Sequence, residues 1–145
     1  MLTLLTREFV VEAPLHAAWN FLSEVERWPL WARHIRSIRL APPGALTAAS
    51  SGKIRLTNGV SSTFRVVEFL PGKSWMWVGK FLWLTVEYDH RFEALDSGRT
   101  RLTWTVSGEG AGLGSIGRLF AAIYARNLDR AIPRLIAELN ASGRH

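Results

Sequence analysis

The chain predicts an α+β domain in which a curved antiparallel sheet of about seven strands carries a long C-terminal helix across its concave face, with two short helices after the first strand. Three observations predict it. Between Ser23 and Ile35 a helix-start signal, a Trp28-Pro29 break and a second tryptophan, Trp31, crowd together directly after an amphipathic helical pattern. From Ile35 to Ser107 strand-like runs alternate with turn signals. The chain then closes on a stripe of apolar residues at helical spacing.

Each element follows in order. From Thr3 to Val11 the residues alternate, with Leu5, Phe9 and Val11 set against Thr6 and Glu8, which reads as a strand. Pro14 suits a first helical turn, and Leu15, Ala18, Trp19 and Leu22 recur at helical spacing. Ser23 and Glu26 fit a capping box for a second helix, which Pro29 restricts to a turn or two. Neither helix is long enough to be stable alone, so both must lean on a larger body. Six strands are then expected, Ile35 to Leu40, Gly52 to Thr57, Ser62 to Leu70, Ser74 to Val78, Leu82 to Leu95 and Thr100 to Ser107. Turn chemistry separates them at Pro42-Pro43-Gly44, Asn58-Gly59, Pro71-Gly72 and Asp96-Ser97-Gly98. The last helix should run from about Ser115 to Leu139, with Ile116, Phe120, Ile123, Tyr124, Leu128, Ala131, Leu135 and Leu139 on one face. Pro133 falls inside it and should kink it, having no amide to give to the Asp129 carbonyl.

Composition bounds the rest. At 145 residues and 48% hydrophobic content the chain reads as one domain, 1–145, able to bury a core. No stretch approaches the roughly 18 to 20 apolar residues that span a bilayer, and Met1 to Arg7 does not read as a signal peptide, so the expected address is the cytoplasm. The absence of cysteine excludes disulfides, thiolate metal sites and a cysteine nucleophile. A net charge of +6 admits peripheral contact with an anionic membrane. The arginines are scattered rather than clustered, so nucleic acid is not the expected partner.

Several motifs lack the context their chemistry needs. Gly112-Leu113-Gly114-Ser115-Ile116-Gly117 matches the dinucleotide pattern, but no parallel strand follows its helix. A glycine-rich connector, flexible enough to gate a neighbouring cavity, is the reading kept. His16, His34, His90 and His145 lie on separate elements without ligand spacing, so no metal and no cofactor is expected. No serine occupies a nucleophile elbow.

The pieces APLHAAWNFLSEVERWPLW and YDHRFEALDSGRTRLTW, with the terminal amphipathic helix, resemble the START-like (SRPBCC) superfamily of polyketide cyclases and dehydrases, birch-pollen-allergen proteins and ubiquinone-binding carriers. The resemblance covers essentially the whole chain. It implies the helix-grip fold and a hydrophobic small-molecule ligand, a lipid, quinone or polyketide-like compound, held between sheet and helix. Function is less fixed than fold, because the same scaffold carries enzymes, carriers and chaperone regulators.

The candidate site follows from strand parity. Leu84, Val86, Tyr88, His90 and Phe92 share one face of their strand, and Leu102, Trp104 and Val106 share one face of the next. His90 and Tyr88 are thus polar groups in an apolar wall, to which the last helix adds Phe120, Tyr124 and Asn127. Phe64 and Trp77 complete the expected ligand-binding set of Phe64, Trp77, Tyr88, His90, Phe92, Trp104, Phe120, Tyr124 and Asn127. Trp75 and Trp77 share a face, though their strand is apolar on both sides and does not say which face is inward. Glu68 is a possible inward carboxylate, in register with Phe64 and Val66.

Trp19, Trp28 and Trp31 should seal the end of the sheet, and Trp83 should lie on its outer surface. The favoured function is a non-catalytic carrier, monomeric or homodimeric. A cyclase or dehydrase would use His90 to move a proton, with Tyr88 or Asn127 holding a carbonyl or enolate. A protein-interaction module of the chaperone-regulator or ribosome-associated kind would show instead a filled interior.

Overall fold

In the computed structural model, which describes residues 1–142, the strand runs pair into one seven-stranded sheet. The order along the chain is β1 (Leu2–Val11), α1 (Leu15–Ser23), a 3-10 helix (Val25–Leu30), β2 (Ile35–Ala41), β3 (Ser51–Leu56), β4 (Ser61–Leu70), β5 (Ser74–Phe81), β6 (Leu84–Asp96), β7 (Arg99–Glu109), a π-helical turn (Leu113–Gly117) and α2 (Arg118–Ser142). Across the sheet the order is β1-β7-β6-β5-β4-β3-β2, with every pair antiparallel. Consecutive strands from β2 to β7 are neighbours, and β1 closes the far edge against β7. The expected α+β architecture is the observed one.

Parity orients the sheet. Leu84, Val86, His90 and Phe92 of β6 and Leu102, Trp104 and Val106 of β7 are buried on the inner face, and α1, the 3-10 helix and α2 cover that face. Leu135 and Leu139 of α2 are fully buried. Each such leucine is worth about 1.5 to 3 kcal/mol relative to exposure, which is what holds α2 in place. Arg7 of β1 adds a two-pronged ion pair to Asp129 of α2 (2.7 and 3.1 Å), and the Glu12 amide donates to Asn140 Oδ1 (2.8 Å).

The structure corrects several local expectations. Ser23 is the last residue of α1, not a cap: its hydroxyl donates to the Asn20 carbonyl (3.2 Å), and Glu26 instead accepts from the Leu40 amide (3.3 Å). The capping box fails because the 3-10 helix starts at Val25 with Glu24 in the cap position, one residue beyond Ser23, and no side chain caps it. Glu68 is exposed, because a bulge between Val66 and Glu68 moves the inward position to Phe69. Ile123, on the shoulder of the α2 stripe, is 52% exposed, while Ile132, left out of that stripe, is buried. The π-helical turn delays α2 to Arg118, and the helix then runs unbroken through Pro133, which sits on its solvent side. Trp83 lies in the β5–β6 turn rather than on the outer sheet face, and its Nε1 donates to the Ala111 carbonyl (2.7 Å).

Candidate functional site

The inner face is aromatic at its centre because three strands and the 3-10 helix each deliver rings to one place. On β5, Trp75 and Trp77 both point inward, which settles the face that the doubly apolar strand left open. His90 of β6 is paired with Trp75 of β5 on one side and Trp104 of β7 on the other. Its ring stacks on Trp75 (5.0 Å between centroids, 25°) and meets Trp77 at 4.8 Å and Trp104 at 5.7 Å.

The 3-10 helix completes the group. Trp31 caps that helix three residues after Trp28, close to the spacing at which 3-10 side chains eclipse, and the two rings lie 5.2 Å apart. Trp28 does not merely seal an end, as the sequence suggested. It reaches the middle of the inner face, 5.3 Å from Trp77, 5.8 Å from His90 and 6.2 Å from Trp104, which it stacks upon. Its Nε1 donates to the Leu22 carbonyl (2.9 Å), satisfying an acceptor in the last turn of α1. Trp19 closes the end, edge-on to Phe69, Trp75 and Phe92.

Between this aromatic floor and α2 lies a cavity of about 30 Å³, lined by Trp28, Trp31, Ala32, His34, Ile35, His90, Trp104, Tyr124, Leu128 and Ala131. It matches roughly one water's share of liquid volume, far below the roughly 300 to 1,000 Å³ of a typical ligand site. Of the residues expected to bind ligand, His90, Trp104 and Tyr124 line it. Phe64 and Trp77 pack on each other at a tilt beneath it (4.4 Å), Tyr88 packs on Tyr124 (5.6 Å) to one side, and Phe120 packs on Phe81 (4.8 Å) further along α2. Phe92 belongs to the Trp19 end, and half-buried Asn127 is not in the cavity wall. Trp28, Trp31, Ala32, His34, Ile35, Leu128 and Ala131 were missed. The three-residue spacing of Trp28 and Trp31 was the signal that could have found the first two.

The site is electrically neutral. Burial lowers the His90 pKa from 6.5 to about 3, although the Trp75 and Tyr88 carbonyls favour its protonated form. Burial also lowers the pKa of His34 and raises those of Tyr88 and Tyr124, so all four rings are uncharged near neutral pH. Yet the site holds unused polar atoms. His90 Nδ1, Trp31 Nε1 and Trp104 Nε1 are buried without a hydrogen-bond partner among the described residues. His34 and His90, on separate elements in sequence, border the same cavity. Among the described residues no three metal-ligating side chains converge, and His145 lies outside them. No described helix is long and apolar enough to cross a membrane.

Solved structures share this architecture at low identity. A hypothetical protein of Helicobacter pylori superposes with a TM-score of 0.76 at 16% identity, covering 92% of this chain and 86% of that one. The Zhui aromatase/cyclase of a Streptomyces species gives 0.71 at 16%, covering 93% and 92%. A START superfamily protein of Mycobacterium smegmatis gives 0.68 at 14%, covering 94% and 97%. At such identities the likeness speaks for the fold alone. No curated protein matches the chain in sequence. A family model described as polyketide cyclase / dehydrase and lipid transport matches residues 3–140, nearly the whole chain, and the chain belongs to that family.

Proposed function

We propose that the chain is a single ligand-binding domain, cytoplasmic, that carries a flat, largely apolar small molecule with a polar edge, such as a quinone or an aromatic polyketide, without transforming it. The observation that carries this reading is the set of unpartnered polar atoms around the cavity, His90 Nδ1, Trp31 Nε1 and Trp104 Nε1, in a wall otherwise made of rings. Buried polar atoms are normally satisfied, and leaving one unpaired costs about 1 to 3 kcal/mol. A ligand oxygen set among them would accept from the indoles while the rings stack on its body. Membership of a family that includes lipid transport supports the same reading.

His90 argues for carrier over enzyme. A general base works best with a pKa near the operating pH, and His90 lies far below it. Of the other titrating groups in the cavity wall, burial lowers His34 and raises Tyr124, each toward its neutral form, so none is held charged beside His90.

The ligand needs more room than about 30 Å³, so binding requires Trp28 or α2 to give way. The same near-filled interior favours a second reading, a protein-interaction module that binds nothing inside. Organic extraction and native mass spectrometry of freshly purified protein, followed by fluorescence titration with a short-chain quinone and an aromatic polyketide, separate the three. A bound apolar molecule or saturable quenching, left largely intact in His90→Asn, is the expected result. Turnover in the parent that disappears in His90→Asn would make it an enzyme, and neither binding nor turnover would leave the interaction module.

A further inference from the structure

We propose that one end of the molecule is a docking surface for an anionic lipid bilayer. Most of the exposed large hydrophobic residues lie at a single end, where the start of β1, the β3–β4 turn, the β5–β6 turn and the first turns of α2 come together. Leu2 is 56% exposed, Val60 54%, Leu82 64%, Trp83 56% and Leu119 55%. Isolated exposed leucines are ordinary, but a collected set is not.

Register and contacts make the set continuous. Leu2 pairs with Gly108, which lies against Leu4 and Leu113. Gly112 stands between Ile116 and the Trp83 ring, and Trp83 is tied to Ala111. The Ser62 hydroxyl bonds to the Lys80 carbonyl (3.5 Å), bringing the β3–β4 turn and Val60 beside the β5–β6 turn. Leu119 and Ile123, one turn apart on α2, extend the patch along the helix.

The β5–β6 turn is itself unusual. Leu82 holds φ at +55°, the left-handed region where glycine or asparagine is the cheaper residue. A bulky apolar side chain is thereby fixed outward at the tip, beside an equally exposed tryptophan. Indole and leucine at a protruding tip suit the boundary between headgroups and acyl chains.

Charge selects the occupant. The strand ends and helix start beside these turns carry Arg36, Arg55, Lys80 and Arg118, all exposed and, among the described residues, without an ion pair, against one carboxylate, Glu109. From Lys80 the positive charge continues over the outer face of β2 to β5. There Arg39 sits directly opposite Lys53, and an open groove of about 570 Å³ is lined by both, with Arg65 and Lys80. Opposed like charges repel, and an anionic surface relieves them. Apolar tips rimmed by cations match a bilayer bearing anionic headgroups better than a second copy of this equally basic chain.

Flotation with vesicles of phosphatidylcholine, with and without a minority of phosphatidylserine, tests the proposal. The parent should float with the serine-containing vesicles and lose binding as salt rises. Leu82→Asn keeps the turn, since asparagine tolerates that backbone, and Leu119→Ser touches a solvent-facing position, so both variants should melt like the parent. Each should weaken partitioning about tenfold by withdrawing a leucine from the boundary. Lys80→Glu should weaken it about tenfold as well, by reversing a charge near the surface. Failure of the parent to float, or undiminished flotation of the folded leucine variants, overturns the proposal. So does a concentration-dependent dimer that Leu82→Asn abolishes, which would assign the patch to a second copy.

Discussion

Trp28→Phe and Trp104→Phe form a paired test of whether the unpartnered indole of Trp104 is a burden the folded chain carries. The two side chains are 6% and 5% exposed and stack on each other, so shrinking either ring costs comparable packing, which cancels in the comparison. Their N–H groups differ. Trp28 Nε1 donates to the buried Leu22 carbonyl at 2.9 Å, and its loss leaves an acceptor in the last turn of α1 unsatisfied, at about 1 to 3 kcal/mol. Trp104 Nε1 has no partner among the described residues, and its removal relieves a penalty of the same size, about 1 to 3 kcal/mol. Trp28→Phe should therefore be the less stable variant by about 2 kcal/mol or more. Urea titration reads this directly as a difference in midpoint at unchanged slope. Variants equal within about 0.5 kcal/mol, or a reversed order, would refute the reasoning and with it the argument that polar atoms in this wall are free to meet a ligand. If the reasoning stands, Trp104→Phe should be nearly as stable as the parent and yet bind a quinone less tightly.

Two further outcomes follow from the interior. The His90 pKa falls from 6.5 in the unfolded chain to about 3 in the folded one, so between those values the unfolded state binds more protons and stability drops as the pH is lowered. His90→Gln removes this, and the stability lost between about pH 7 and about pH 5 should be smaller in the variant by about 2 kcal/mol, as read by urea midpoints at each pH. His34 and the surface carboxylates are present in both proteins and drop out; an identical pH dependence would mean that His90 titrates normally. Gly52→Ala should cost about 1 to 3 kcal/mol, because a Cβ there collides with the Phe64 ring and lies 2.9 Å from the Arg39 carbonyl, while Gly114→Ala meets open space and should change stability by no more than about 0.5 kcal/mol. Thermal melts of the two variants that proved indistinguishable would show that β3 shifts easily.

What the sequence made legible was whatever a local period reports. Alternation on β6 and β7 put Tyr88, His90, Phe92, Trp104 and Val106 on one face, and they are there. The α2 stripe was readable for the same reason, and it failed at Ile123 because a helical period cannot say how far the sheet extends beneath each shoulder of the helix. Glu68 was misplaced by a single bulge, an event that leaves no trace in the residue types around it. Trp28 was the costliest miss. Its place at the centre of the inner face depends on where the 3-10 helix docks relative to β5 and β7, a tertiary fact, and it decides whether the interior is a pocket or a packed core.

That single residue also sets the energetics of any ligand. A molecule entering between the aromatic floor and α2 must displace ring contacts already made, so its measured affinity is its intrinsic affinity reduced by the rarity of the open state. The two covers are not equally easy to move. Trp28 is anchored by its bond to Leu22 and by rings on three sides, while the first turns of α2 present Phe120 and Tyr124 only partly buried. Those turns are joined to β7 through Gly110 and Gly112, both at positive φ, and the firm attachments of α2, the Arg7–Asp129 pair, the Glu12–Asn140 bond and the buried Leu135 and Leu139, all lie in its later turns. Opening by the N-terminal half of α2 therefore breaks the fewest strong contacts. It also opens the interior at the end where Leu82, Trp83 and Leu119 stand exposed, so a bilayer engaging those residues and an apolar molecule leaving the cavity would meet at one place.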